Sequence, residues 1–269
     1  MKLNVKQFVD DLQTLRSKRP LVHNITNFVV MNTTANALLA IGASPVMAHA
    51  IEEVDEMSTI ASALVINIGT LSREWNTAMG LAMTTARKQG APIVFDPVGA
   101  GATTFRTQTC LDLINQNTPT VIRGNASEIM ALAGDTIQTK GVDSSAAAND
   151  ADQAALALAK RYGCIVCVSG AIDLVTDGSR SARIRNGHPL MPKVTGLGCT
   201  ASAVVGAFCA SNSDPFIATC HAMLCMGICG EIAAEQAAGP GSLQMHLIDA
   251  FYNLSAAQIE ARWLDPNPQ

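Results

Sequence analysis

The chain has 269 residues, room for one large α/β domain or two small ones, and a net charge of −4 with only 15% charged and 48% hydrophobic side chains. A charged share below the usual quarter with few aromatics points to small aliphatic side chains filling a large core or subunit contacts, and the acidic balance excludes a nucleic-acid binder, which needs a basic face. The first residues lack the apolar stretch of a secretory signal, no apolar run is expected to reach the roughly 18 residues of a membrane span, and the cysteines are then reduced thiols: a cytoplasmic protein with no membrane partner.

The spacing of Val5, Phe8, Val9, Leu12 and Leu15 predicts an amphipathic helix over 5–18. The stretch Pro20 to Asn27 follows, with Asn27 as a candidate cap for a helix over about 28–41 that Gly42 ends. Ser44 to Met47 is a short strand, and Glu52 and Glu53 open another helix. Ala63 to Ile68 is an apolar strand, 72–89 a helix, and Pro92 to Phe95 a strand that ends at Asp96. Thr118 to Ile122 is a strand ending at Arg123-Gly124-Asn125; helix 126–133, a polar loop through about 147 and helix 149–162 come next. Ile165 to Val168 is a strand ending at Ser169, and Asp173–Thr176 with Ala182–Arg185 form a hairpin around Asp177-Gly178. Helices are expected over 199–212, 215–238 and 243–261, and the Pro-rich end from Asp265 as a loose tail. With neither repeat nor linker, the chain reads as one domain over 1–269.

Apolar strands alternating with helices predict a mostly parallel sheet covered on both faces, whose ligands bind beyond the carboxyl ends of the strands. The polar residues gather at those ends: Asn67-Gly69-Thr70, Asp96, Arg123-Gly124-Asn125 and Ser169-Gly170. The turn Gly196-Leu197-Gly198-Cys199, leading into small apolar residues, reads as the start of a buried helix. Free N–H groups and the helix dipole there suit an anion, and a thiol in that first turn is expected to have a stabilised thiolate. Asp96 and Glu128 near such a cradle suit Mg²⁺, and Arg123 is a fork donor for phosphate. Each also has a plain reading: Glu128 as an acid in a helix first turn, Arg123 in a surface ion pair, Ser169 and Gly170 as a strand-end turn. His23 reads as a satisfied interior histidine and His49 as solvent-facing, while Asn24 and Asn27 are either readers of a polar heterocycle or turn and cap residues. Cys164 and Cys167 lie three apart on a strand, point to opposite faces and cannot share a metal. His221, Cys225 and Cys229 read as core packing. Together these features suggest phosphoryl transfer, with Cys199 as proton acceptor; the rival reading makes Cys199 a covalent nucleophile.

Val22-His23-Asn24-Ile25-Thr26-Asn27, Gly42-Ala43-Ser44-Pro45-Val46-Met47, Asp96-Pro97-Val98-Gly99-Ala100-Gly101, Arg123-Gly124-Asn125-Ala126-Ser127-Glu128-Ile129 and Gly196-Leu197-Gly198-Cys199 resemble the motifs of the hydroxyethylthiazole kinases, within the ribokinase-like superfamily. The resemblance covers nearly the whole chain and implies a three-layer α/β sandwich. It implies transfer of the γ-phosphate of ATP to the hydroxyl of 4-methyl-5-(2-hydroxyethyl)thiazole, a thiamine precursor, with Mg²⁺, in a homotrimer that binds the thiazole between subunits. Position by position it implies substrate contacts at Asn24, Met47 and Gly196, ATP contacts at Arg123 and Ser169, and Gly198 in the nucleotide-side anion turn. Asp96 and Glu128 match positions linked to Mg²⁺ and phosphate, and Cys199 stands where most of the superfamily has an aspartate base. Leu197 departs from the family's usual threonine, losing a hydroxyl but keeping the N–H. A pyrimidine- or pyridoxal-type kinase of the same superfamily and a non-catalytic nucleotide-sensing trimer are the alternatives; a dinucleotide oxidoreductase lacks its glycine fingerprint here.

Overall fold

In the computed structural model, which describes residues 3–134 and 144–267, every strand joins a single eight-stranded sheet. The chain runs α1 (Val5–Lys18), β1 (Leu21–Ile25), α2 (Met31–Ile41), β2 (Ser44–Val46), α3 (Val54–Ile60), β3 (Ala63–Asn67), α4 (Arg73–Gln89), β4 (Ile93–Asp96), α5 (Thr104–Gln116), β5 (Val121–Asn125), α6 (Ala126–Ala133), α7 (Ser144–Tyr162), β6 (Ile165–Ser169), β7 (Asp173–Thr176), β8 (Ser181–Ile184), α8 (Leu197–Cys209), α9 (Pro215–Gln236), α10 (Pro240–Asn253) and α11 (Ala256–Ala261). The strand order is β2-β1-β3-β4-β5-β6-β7-β8, parallel through β6, with β7 and β8 turned antiparallel.

Strand side chains alternate between two cores. Leu64, Ile66, Phe95 and Ile122 pack with α4, α5, α6 and α7, while Val22, Val65, Val94 and Val121 face α1, α2, α8, α9 and α10. Cys164 and Cys167 fall in different cores, as their spacing predicts. This is the expected three-layer arrangement. It sets the carboxyl ends of β1 to β6 along one rim, and the start of α8 reaches that rim from below.

Several local expectations change. The Pro20–Asn27 stretch contains β1, a strand between β2 and β3; its polar side chains His23 and Asn24 hide the pattern. His23 is indeed an interior histidine: its ring nitrogens meet Ser58 Oγ at 3.1 Å and the Ala48 carbonyl at 2.7 Å. Helix α5, for which no element is expected, is capped by Thr103 and shows the core only Thr109, Cys110, Leu113 and Ile114, a weak apolar stripe. The helix expected over 243–261 breaks at Leu254, and Ser255 begins α11 with a reciprocal cap with Gln258. The tail from Asp265 is tied down through Asn267, whose amide accepts from Leu3 N and donates to Leu3 O, each at 3.1 Å. The polar loop expected before α7 lies largely outside the described residues; α7 itself begins at Ser144, ahead of the expected 149. Helix α9 is long and apolar enough to cross a membrane, contrary to expectation, yet 94% of its most apolar window is buried: it is the central helix of one core, with His221, Cys225 and Cys229 inside it.

Candidate active site

At the start of α8, Gly196 adopts a left-handed backbone (φ 81°), and a side chain there would meet Val30 Cγ1 at 2.3 Å. The first intrahelical bond runs from Thr200 N to Gly196 O at 2.9 Å, so the N–H groups of Leu197, Gly198 and Cys199 come before any helical partner. Leu197 is buried, so its side chain anchors the turn from inside while its N–H stays in the cradle.

Asp96 ends β4 directly beneath this turn and is 3% exposed. One carboxylate oxygen, Oδ2, accepts from Ser202 Oγ at 2.7 Å and from Asn67 Nδ2 at 2.9 Å, leaving Oδ1 without a partner among the described residues. Burial raises the Asp96 pKa to about 6, against the pull of Arg123. Arg123, at the end of β5, is 5% exposed, and its Nη1 donates to Ser202 Oγ at 3.4 Å. Arg123 Nε is buried with no partner, and no carboxylate forms a salt bridge with the guanidinium among the described residues, so the surface ion pair is not what the structure shows. A buried fork donor with an unpaired N–H fits an anionic guest.

Glu128 closes the far side. Its Oε1 accepts from Gly99 N at 2.9 Å and its Oε2 from Asn125 N at 2.8 Å, while Asn125 returns the bond to Glu128 N. The acid is thus half of a capping box and also pins the loop after β4. Arg106 on α5 ties that loop to the one after β3: it donates to the carbonyl of Val98 in the first and to those of Ile68 and Gly69 in the second, at 2.8–3.0 Å. Ser169 Oγ donates to the Gly124 carbonyl at 3.3 Å, which leaves its lone pairs free beside Arg123.

Cys199 is half-buried, and its Sγ accepts from Asn27 Nδ2 at 3.4 Å. The same Nδ2 donates to Asn67 Oδ1 at 2.9 Å. Asn27 therefore does not cap α2, whose N-cap, Val30, makes no side-chain bond. Asn24 is the converse: it is fully buried, and its amide turns back onto the Val22 carbonyl at 2.8 Å, with Oδ1 unpartnered. The amide that reaches the α8 turn is Asn27, three residues on. The expected stabilised thiolate is also corrected: burial, with the Asp96 charge adding to it, pushes the Cys199 thiol up to about 11. Met47 lies just past β2, half-buried, with its carbonyl 3.4 Å from His49 Nδ1. His49 is not simply solvent-facing, because its ring packs on Trp75 at 4.4 Å between centroids, and Phe28 packs on Trp75 at 4.8 Å.

On the other side of the α8 turn opens a cavity of about 680 Å³. Arg123, Ser169, Asp173 and Gly198 line its polar end, and Val194, Met223 and Met226 its apolar wall. The helix start thus has an apolar cavity on one side and the Asn27–Cys199 contact on the other.

Residues 12–257 match the hydroxyethylthiazole kinase family. The chain belongs to that family. Hydroxyethylthiazole kinases of Syntrophus aciditrophicus and Oleidesulfovibrio alaskensis are 55% and 54% identical to it over 252 residues, covering 93% and 94% of this chain and 93% and 95% of theirs. The solved hydroxyethylthiazole kinase protein from Pyrococcus horikoshii OT3 superposes with a TM-score of 0.88 at 46% identity, over 95% of this chain and 96% of that one. A pyridoxal kinase from Staphylococcus aureus, at 16% identity and a TM-score of 0.61 over 79% of this chain and 88% of its own, shares the fold alone, which is ribokinase-like. A helix start, a buried arginine and two acids, Asp96 at the end of β4 and Glu128 in the first turn of α6, lie together at this rim.

Proposed function

We propose that the chain is a single-domain kinase that moves the γ-phosphoryl group of ATP to the hydroxyl of 4-methyl-5-(2-hydroxyethyl)thiazole, in thiamine biosynthesis in the cytoplasm. The observation that carries this reading is the α8 start, set between the 680 Å³ cavity and the Asn27–Cys199 pair. The nucleotide base and ribose fit the apolar cavity. The phosphates then reach Arg123, Ser169 and the N–H groups of Leu197, Gly198 and Cys199. Gly196 lets the chain turn at this point without a side chain in the way.

The acceptor alcohol would lie on the opposite side, by Cys199, Asn27, Gly196 and Met47, with Asn24 packed behind. Cys199 in its thiolate form takes the hydroxyl proton late, as bonding to phosphorus develops, and becomes a neutral thiol; the Asn27 donor steadies the thiolate before the transfer. Asp96, with its open Oδ1, and Glu128, whose oxygens keep lone pairs beyond their backbone donors, fit Mg²⁺ as an oxygen-seeking ion. When bound, Mg²⁺ neutralises phosphate charge; the protein's part is to hold both acids rigidly, through Asn67 and Ser202 for the first and the capping box for the second.

A homotrimer with the acceptor site at the subunit contact belongs to this reading. Phe28 and Val29, each 63% exposed directly after Asn27, together with Leu39 and Ile60, are the apolar side chains such a contact would cover. The test is ADP formation and phosphate transfer with and without the thiazole alcohol, run beside pyridoxal and hydroxymethylpyrimidine, with light scattering at assay concentration. Turnover on the thiazole alcohol well above the other acceptors supports the reading; ATP binding with no acceptor phosphorylated would overturn it.

A further inference from the structure

The wall of the cavity opposite the α8 turn is built by the loop that leaves β8. Asn186 and Gly187 line it. A loop holds a ligand only as well as the loop is itself held, and this one is fastened from behind by a residue that does not line the cavity. Glu231, on α9, accepts from Asn186 Nδ2 at 3.0 Å and from Gly187 N at 2.9 Å, both through Oε1. Asn186 Nδ2 donates its other hydrogen to the Arg262 carbonyl at 2.9 Å. Two acceptors on one nitrogen fix which way the amide faces, so the loop has one seating against the helix.

The helix surface is cut to take that seating. At Gly227, one turn before Glu231, an added Cβ would stand 2.5 Å from the Asn186 carbonyl oxygen, and at Gly230 one would stand 2.3 Å from Met191 Sδ. The glycines weaken α9 relative to alanine. What they gain is contact between loop and helix backbone.

We propose that Glu231 is a positioning residue for the nucleotide: with the Gly227 notch it sets the distance between the Asn186–Gly187 wall and the α8 turn, and so the affinity for ATP. This rests on the cavity being the nucleotide site. Glu231 touches neither the acceptor side nor the Asp96–Arg123 group, so its effect falls on the nucleotide alone.

The test measures ATP binding by calorimetry without acceptor, together with kcat and both KM values, for Glu231→Ala, Glu231→Gln and Gly227→Ala. Glu231→Ala is expected to weaken ATP binding at least tenfold and raise the KM for ATP in parallel, with the KM for the thiazole alcohol within twofold of wild type. Glu231→Gln keeps an oxygen that accepts both bonds and is expected within threefold of wild type. Gly227→Ala gains helix propensity, but its Cβ would press on the Asn186 backbone, so it should lose ATP affinity together with some melting temperature; the near-isosteric Glu231→Gln keeps the idea testable should Glu231→Ala fold poorly. Wild-type affinity in both Glu231→Ala and Gly227→Ala overturns the proposal, as does a glutamine variant as weak as alanine, or two KM values that rise together. Arg123→Ala separates the two levels. If wild type binds ATP and Arg123→Ala does not, while the Glu231 and Gly227 variants bind normally, the clamp alone is wrong; if wild type binds no ATP, the cavity assignment falls.

Discussion

Asn27 and Cys199 stand 172 positions apart in the chain, yet the amide of one donates to the sulfur of the other at 3.4 Å. The bond is the first link of a buried path: Asn27 to Asn67, Asn67 to Asp96, and Ser202 bridging Asp96 to Arg123. Each member has its amide or hydroxyl orientation dictated by the next, which makes the two sides of the α8 turn one rigid unit.

That path bears on how Cys199 works. With the thiol pushed up to about 11, almost none is thiolate at neutral pH. If the sulfur accepts the hydroxyl proton, wild-type kcat should climb as pH rises from 7 towards 10, because the thiolate fraction climbs. Cys199→Asp places a carboxylate in the same helix first turn, where the dipole favours it, and should keep substantial activity with a flat alkaline limb. Cys199→Ala should lose about 10²-fold in kcat and keep ATP affinity. Alanine at the wild-type rate would reduce Cys199 to a small residue fitted against the turn, and an adduct on the thiol by intact-mass spectrometry would make it a nucleophile instead.

Arg123 should carry nucleotide affinity. Its buried Nε lacks a partner, and charge-assisted bonds to phosphate are worth on the order of 1.5–3 kcal/mol each. Arg123→Ala is expected to weaken ATP binding at least tenfold and leave binding of the thiazole alcohol nearly unchanged, as measured by calorimetry with each ligand alone. An unaltered ATP affinity would place the guanidinium outside the site.

Much of this site is legible in the sequence because strand ends announce themselves: an apolar run stops, and Asp96, Arg123 or Ser169 follows. The turn at Gly196 is legible for the same reason, as two glycines before a run of small residues. What stays hidden is whatever depends on contacts across the sheet. Asn27 reads as a cap because caps are local, and only the fold brings it to Cys199. Ser202 disappears among the small residues of α8, and Arg106 sits on a helix whose apolar stripe is too thin to detect. β1 is obscured by His23, whose ring is satisfied by Ser58 and Ala48, and by Asn24, whose Nδ2 donates to the Val22 carbonyl while its Oδ1 stays unpartnered. The thiol of Cys199 shows how position alone misleads: a helix first turn favours thiolate, but burial beside Asp96 outweighs it.

Gly196→Ala should fail for two reasons that add. Its φ of 81° costs an ordinary residue roughly 1–3 kcal/mol, and the new Cβ would meet Val30 at 2.3 Å. The expected result is a lower melting temperature together with loss of ATP affinity, since the N–H groups of the cradle shift with the turn. A variant that melts like wild type and binds ATP normally would show that the turn has slack.

Asp96 should be a site where function is held against stability. Burial holds its proton up to about 6, against 3.8 for the free side chain. A carboxyl that binds its proton more tightly when folded contributes stability that is complete below pH 4 and is lost as pH rises through 6. At pH 7.5 the ionised, buried carboxylate therefore costs folding free energy, on the order of 2–3 kcal/mol for a shift of this size. Asp96→Asn has nearly the same shape, and its amide oxygen can still accept from Ser202 and Asn67. It should melt higher than wild type at pH 7.5, by several degrees, and the gap should close between pH 6 and 4 as wild type takes up the proton. Kinase activity should be lost at every pH, because the amide cannot supply the negative charge that the open Oδ1 presents to the site. Thermal melts of both proteins across pH 4–8 decide the matter. A gap that does not change with pH would mean that Asp96 is not ionised against a penalty, and equal melting temperatures throughout would mean that Arg123 already compensates it in full.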